Sequence, residues 1–118
     1  MGLDMYLYRK EVDQVAYWRK ANAIHGWFIN HAGVEDNCKP IPLNRPDLIK
    51  LRDTCLVVLS VKTPEIAEEL LPPTPGFFFG SDTIDEWYWE NIKETADKLT
   101  TIIDETSEDQ EFEYYASW

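Results

Sequence analysis

Both ends of this 118-residue chain alternate with a period of two, which restricts the folds open to it more than any other pattern. In Met1–Lys10, Leu3, Met5 and Leu7 alternate with Asp4, Tyr6 and Tyr8. The last eight residues, EFEYYASW (Glu111–Trp118), alternate similarly. Successive side chains of a strand point to opposite faces, so each end predicts a half-buried strand, and the two are expected to pair. A lone two-stranded ribbon is marginal in water, so helices must cover one face of it.

The intervening sequence supplies them. Val12–His31 reads as an amphipathic helix: at about 100° per residue, Val15, Trp18, Ala21, Ile24, Phe28 and Ile29 share an arc. Arg19 and Lys20 lie off that arc, and Asn22 and His25 lie on it. Gly33 is a suitable stop. Residues 34–40 form a loop, and Ile41-Pro42-Leu43 suits a short edge strand, where proline is tolerated. Asn44 is placed to cap a second helix, Asp47–Val61, with Leu48, Leu51, Cys55, Val58 and Leu59 inward. Thr63-Pro64 opens a short helix to Leu71. The run Pro72-Pro73-Thr74-Pro75-Gly76 ends it. Thr83 with Glu86 three residues on predicts a capping box for the last helix, which runs to about Asp104. An acidic turn, Glu105–Gln110, leads to the final strand. The expectation is a mainly helical α+β single domain, residues 1–118, with three long helices, one short helix and a small antiparallel sheet made from the N- and C-terminal strands.

Charge narrows the partners. The net charge is −11. Residues 1–60 carry eight basic and seven acidic side chains, residues 61–118 three basic and fifteen acidic. Such a field repels nucleic acid and attracts basic surfaces. Asp104, Glu105, Glu108, Asp109, Glu111 and Glu113 form the expected protein-binding surface, or else a solvated acidic face. No apolar run approaches the eighteen residues a membrane span needs, and the start lacks a signal-peptide core, so a cytoplasmic location is expected.

No motif specifies a reaction. His25 and His31, six apart, do not share a helical face, and no HExxH, EF-hand loop or cysteine cluster is present in the sequence. Cys38 and Cys55 read as reduced thiols, Cys55 as an inert inward one. No catalytic residue, metal or cofactor is expected.

A second aromatic feature bears on binding. Leu70–Asn91, LLPPTPGFFFGSDTIDEWYWEN, holds six of the sixteen aromatic residues within thirteen positions. Neither triplet can face one way: Phe78 opposes Phe77 and Phe79 on an extended run, and Trp87 and Trp89 are about 160° apart on a helix. Trp87 and Tyr88 fall on the helix's inner arc with Ile84, Ile92, Leu99 and Ile102. Phe77 and Phe79 are assigned inward, which leaves Phe78 and Trp89 for outside contact. With Trp18, Arg19, Asn22 and His25 they could line a small-ligand pocket with polar anchors. The same residues could equally be satisfied core groups. Arg19 or Arg45 would hold an anion at the rim.

MGLDMYLYRK, YWRKANAIHGWF (17–28), LLPPTPGFFFGS and IDEWYWENI together resemble a family of small uncharacterised bacteriophage and prophage proteins. The similarity spans most of the chain except the 33–45 loop and the acidic tail. It implies a phage accessory protein acting inside an infected bacterium, a class that often binds and disables host machinery such as antiviral defence. Three functions stay open: a non-enzymatic binding protein inhibiting a host factor through its acidic surface, plausibly as a mimic of the nucleic-acid backbone; a nucleotide-signal sponge; and an enzyme of unknown class. A homodimer would shield exposed rings.

Overall fold

A computed structural model describes residues 2–76 and 79–118. The elements are β1 (Asp4–Arg9), β2 (Asp13–Arg19), α1 (Asn22–Ala32), β3 (Ile41–Asn44), α2 (Arg45–Val61), α3 (Pro64–Leu70), α4 (Glu86–Glu105) and β4 (Glu111–Ser117). The fold is α+β, as the period-two ends and the helical middle require. The expected first strand begins at Asp4; Met1 lies outside the described residues.

The strands form one antiparallel sheet in the order β2-β1-β4-β3. The two chain ends do pair, from Asp4 opposite Ser117 to Arg9 opposite Phe112. Ile41–Asn44 is an edge strand, as Pro42 demands. Leu3, Met5, Leu7, Phe112, Tyr114 and Ala116 point inward and are buried with Ile24 and Phe28 of α1, Leu48, Leu51, Cys55 and Val58 of α2, and Ile92, Leu99 and Ile102 of α4. Phe28 stacks on Tyr114 with ring centroids 4.0 Å apart.

The expectation for the first helix fails. Val12–His31 is not a single helix: Asp13–Arg19 is strand β2, which pairs with β1, and the helix begins only at Asn22. Both periods fit this segment, because Ala16 and Trp18 also alternate with Tyr17 and Arg19. Pairing with β1 decides in favour of the strand, where aromatic and β-branched residues pack well. Leu7 pairs with Ala16 and Tyr8 with Gln14, so Val15 is the extra residue of a bulge. The break before α1 falls at Lys20, which takes φ +54° although it is not glycine. Its amide donates to the Leu3 carbonyl at 2.7 Å, tying the kink to the start of β1.

The helix ends follow their chemistry. Gly33 closes α1 at φ +66°, its amide donating to the Ile29 carbonyl. The Asn44 side chain accepts from the Asp47 amide while the Asp47 carboxylate accepts from the Asn44 amide, so α2 starts with a full capping box. Thr63 caps α3 by accepting from the Ile66 amide. The cap of α4 is Asp85, not Thr83: Asp85 accepts from the Tyr88 amide, and the Thr83 hydroxyl donates to Asp85. An ionised carboxylate at the positive helix end outcompetes a hydroxyl. No helix among the described residues is long and apolar enough to cross a membrane.

Candidate binding surfaces

The residues expected to line a ligand pocket are distributed by the fold to different tasks. Trp18 points inward from β2; its Nε1 donates to Thr95 Oγ1 at 2.9 Å, and its ring meets Phe28 edge-on. Asn22 opens α1 and is buried. Its amide donates to the carbonyls of Phe79 (3.0 Å) and Ser81 (2.8 Å), and its carbonyl accepts from the Thr74 amide (3.1 Å). It is a polar anchor, but for the chain's own proline-aromatic loop. Gly26, one turn on, permits that approach: a Cβ there would lie 2.0 Å from Thr74 Oγ1.

His25 is 1% exposed. Its Nδ1 lies 2.7 Å from the Tyr114 hydroxyl and its Nε2 2.9 Å from Asp36 Oδ1. Trp118 Nε1 donates to the same Asp36 oxygen, and the Trp118 ring meets Phe79 edge-on. This row ties the 34–40 loop and the last residue to the core. It ends on a phenol whose pKa burial, and then the Asp36 charge, push well above its ordinary value. That is the wrong direction for activating an oxygen nucleophile, and Tyr114 is buried from any substrate.

Arg19 lies on the opposite sheet face from Trp18, exposed, with Nη1 3.7 Å from Asp4 Oδ1. Trp89 is half-buried, perpendicular to Tyr88, with Lys62 Nζ 5.9 Å from its ring. Trp87, assigned to the inner arc, is instead 57% exposed. The buried stripe of α4 runs through Tyr88, Ile92, Thr95, Ala96, Leu99, Ile102 and Ile103, and Trp87 lies about 120° around the helix from its centre. Phe79 is buried as expected. Phe77 and Phe78 lie outside the described residues. Arg45 Nη2 donates to the Ile103 carbonyl at 3.0 Å, while its buried Nε has no partner among the described residues. The structure therefore does not gather Trp18, Arg19, Asn22, His25 and Trp89 around one open cavity.

The acidic residues are presented outward. Asp104 and Glu105 end α4, Glu108 and Asp109 occupy the turn, and Glu111 opens β4, all exposed; Glu113 is half-buried on the outer sheet face. Among the described residues none of the six forms an ion pair. Glu105 also borders an open groove of about 490 Å³ between the β1–β2 hairpin and α4, together with Arg9, Asp13, Asp97 and Lys98. The two cations of this groove are engaged. Arg9 is bidentate to Asp13, which holds that carboxyl below its usual range. Lys98 Nζ lies 2.6 Å from both Glu94 and the Tyr17 carbonyl.

A surface not anticipated as a unit lies on the outer sheet face. Tyr6 is surrounded by Tyr8, Tyr17 and Tyr115, with centroids 6.3, 5.4 and 6.1 Å away. The Tyr17 hydroxyl donates to Asp4 at 2.5 Å, which raises its pKa. The alternation of β1 and β4 already places three of these rings outward. Tyr17 escaped because its segment was read as helix. Among the described residues no cluster of histidine, cysteine and carboxylate side chains could hold a metal ion. Comparison with family models, curated proteins and solved structures finds no match to this chain.

Proposed function

We propose that this chain is a non-enzymatic, phage-encoded binding protein that inhibits a host factor in the cytoplasm of an infected bacterium, docking its acidic end on a basic, nucleic-acid-binding surface of that factor. The observation that carries the reading is the exposed, unpaired set Asp104, Glu105, Glu108, Asp109 and Glu111 at one end of the fold. Exposed carboxylates without an ion-pair partner among the described residues can meet cations of another protein, and they steer its approach. The groove beside Glu105 gives an incoming arginine or lysine a place to insert, since its own cations are already paired. The outer tyrosines extend the surface: rings with a polar tip suit interfaces that must also tolerate water. The pocket reading loses support because Trp18, Asn22 and His25 spend their polar atoms inside the protein.

The test is affinity capture from a bacterial lysate at low and high salt, with Glu105→Gln, Glu108→Gln, Asp109→Asn and Glu111→Gln combined as the comparison. Basic nucleic-acid-binding proteins should be retained at low salt, released by added DNA or RNA, and lost with the combined variant. Retention that ignores both salt and the four substitutions would refute the reading.

A further inference from the structure

The outer face of the sheet carries a charge that the fold leaves unanswered. Tyr8 and Glu113 are cross-strand partners on β1 and β4, and alternation points both away from the helices. Glu113 is half-buried, and among the described residues no cation lies within ion-pair distance of its carboxylate. A carboxylate that has lost part of its water gains from a cation brought beside it. The rings of Tyr8, Tyr6 and Tyr115 follow in a row, with 6.3 and 6.1 Å between neighbouring centroids and planes 23° and 25° apart. All three are half-buried. Beside Tyr8 and Glu113 lies an open hollow of about 510 Å³, lined also by Lys10, Glu11, Val12 and Gln14.

We propose that Tyr8 and Glu113 form a seat for an arginine side chain of the partner, its guanidinium lying on the tyrosine ring and its N–H groups donating to the carboxylate. Two observations choose this occupant. The first is the balance of charge. Across the face and its hollow, Asp4, Glu11, Glu111 and Glu113 stand against Lys10 and Arg19, and Arg19 already lies beside Asp4. Arg9 and Asp13 cancel each other through their bidentate pair. Nucleic acid also stacks on exposed rings, but it needs a basic groove along its backbone, which this face lacks. The second is the pairing of ring with carboxylate. The face of an aromatic ring attracts a cation, and a carboxylate one strand away accepts hydrogen bonds from that same cation. Guanidinium is planar and weakly hydrated, so it does both; the compact, strongly hydrated ammonium of lysine stacks less well. The seat deepens the reading of a basic partner and rests on it for the partner's charge, but it uses none of Glu105, Glu108 and Asp109.

The probes are a short Gly-Arg repeat peptide, the matching Gly-Lys peptide and a thymidylate oligonucleotide of equal length. Each is titrated into the protein while the ring NMR signals of isotope-labelled tyrosine are followed. The arginine peptide should move the signals of Tyr8, and to a lesser extent Tyr6 and Tyr115, while buried Tyr88 and Tyr114 stay in place. It should bind at least about threefold more tightly than the lysine peptide. Glu113→Gln should weaken it at least about fivefold. Tyr8→Val, which also identifies the Tyr8 signal, should remove the preference for arginine. Glu90→Gln, the same loss of charge on the exposed side of α4, should leave the affinity unchanged. Dispersed amide spectra establish that each variant is folded, and the shifts in the parent protein need no variant. The seat is overturned if the arginine peptide leaves Tyr8 unmoved, if folded Glu113→Gln binds as the parent does, if the lysine peptide binds equally well, or if the oligonucleotide moves the same rings. The variant combining Glu105→Gln, Glu108→Gln and Asp109→Asn should still show the Tyr8 shifts, so a failure of the seat and a failure of the acidic end are told apart; their loss in that variant also overturns the seat.

Discussion

Asn22→Ala gives the sharpest test of how the proline-aromatic loop is held. The Asn22 side chain is buried and makes three hydrogen bonds to loop backbone, at Thr74, Phe79 and Ser81. Truncation leaves two carbonyls and one amide without their partner. Each buried group left unpaired costs about 1–3 kcal/mol. Phe79 is buried, while Thr74 and Ser81 lie closer to water, which can replace part of their loss. The expected destabilisation is therefore about 3–4 kcal/mol, a large share of the roughly 5–15 kcal/mol typical of a domain. Urea unfolding measures it, and limited proteolysis should show cleavage near residues 72–82 before global unfolding. Asn22→Asp separates hydrogen bonding from shape. It keeps the acceptor for Thr74 but turns an anionic oxygen towards two carbonyls. At neutral pH it should be at least as unstable as Asn22→Ala, despite its near-identical shape. The introduced carboxyl would have a folded-state pKa above its unfolded value of about 3.9, so stability is retained below that pH and lost as pH rises. If Asn22→Ala costs less than about 1 kcal/mol, or Asn22→Asp matches the parent at pH 7, the loop is held by something else.

Two further outcomes follow from neighbouring features. Gly26→Ala should destabilise the protein, because its Cβ would meet Thr74 Oγ1 at 2.0 Å, and adding Thr74→Ala should recover part of the loss; a double variant no better than Gly26→Ala would place the clash elsewhere. Burial pushes the Cys55 thiol from 9.0 up to about 12, so the folded state holds a proton that the unfolded chain releases and stability falls as pH rises above about 9. The slope approaches about 1.4 kcal/mol per pH unit, with Tyr88 and Tyr114, also raised, adding to it at higher pH. Urea midpoints measured from pH 8 to 10 should fall less steeply for Cys55→Ala, and equal slopes would refute the assignment.

The α+β class, the pairing of the chain ends, the edge strand with Pro42 and the Asn44 cap were legible because each rests on local pattern. Strand β2 was not. Its residues satisfy both periods, and the kink that separates it from α1 sits at Lys20, a residue whose positive φ no composition rule announces. That error concealed Tyr17 and placed Trp18 and Arg19 around one helix, when a strand sends them to opposite faces. Asn22 and His25 were correctly singled out as polar groups on an apolar arc. Their partners, Phe79, Ser81, Thr74, Asp36 and Tyr114, lie 11 to 89 residues away in sequence, and no spacing rule encodes such distances. Trp87 and Trp89 exchanged roles because the buried stripe of α4 centres near Leu99 and Ile92, about 120° from Trp87 but about 80° from Trp89, and the predicted inner arc reaches too far towards Trp87.

The strand order β2-β1-β4-β3 has a consequence for synthesis. The two central strands are the first and the last of the four in chain order, and Asp4 finds its partner, Ser117, 113 positions later. Until β4 arrives, the β1–β2 hairpin can be made but lacks the neighbour that completes its inner face, and β3 has no strand to join. Contacts of such long range are slow to form, since the closure entropy comes before any reward. Helices α2 and α4 can pack earlier, yet Leu7, Phe28 and Tyr114 close over one another only at the end. The sheet therefore stays open, with apolar strand faces uncovered, until β4 is made, and β4 acts as its keystone.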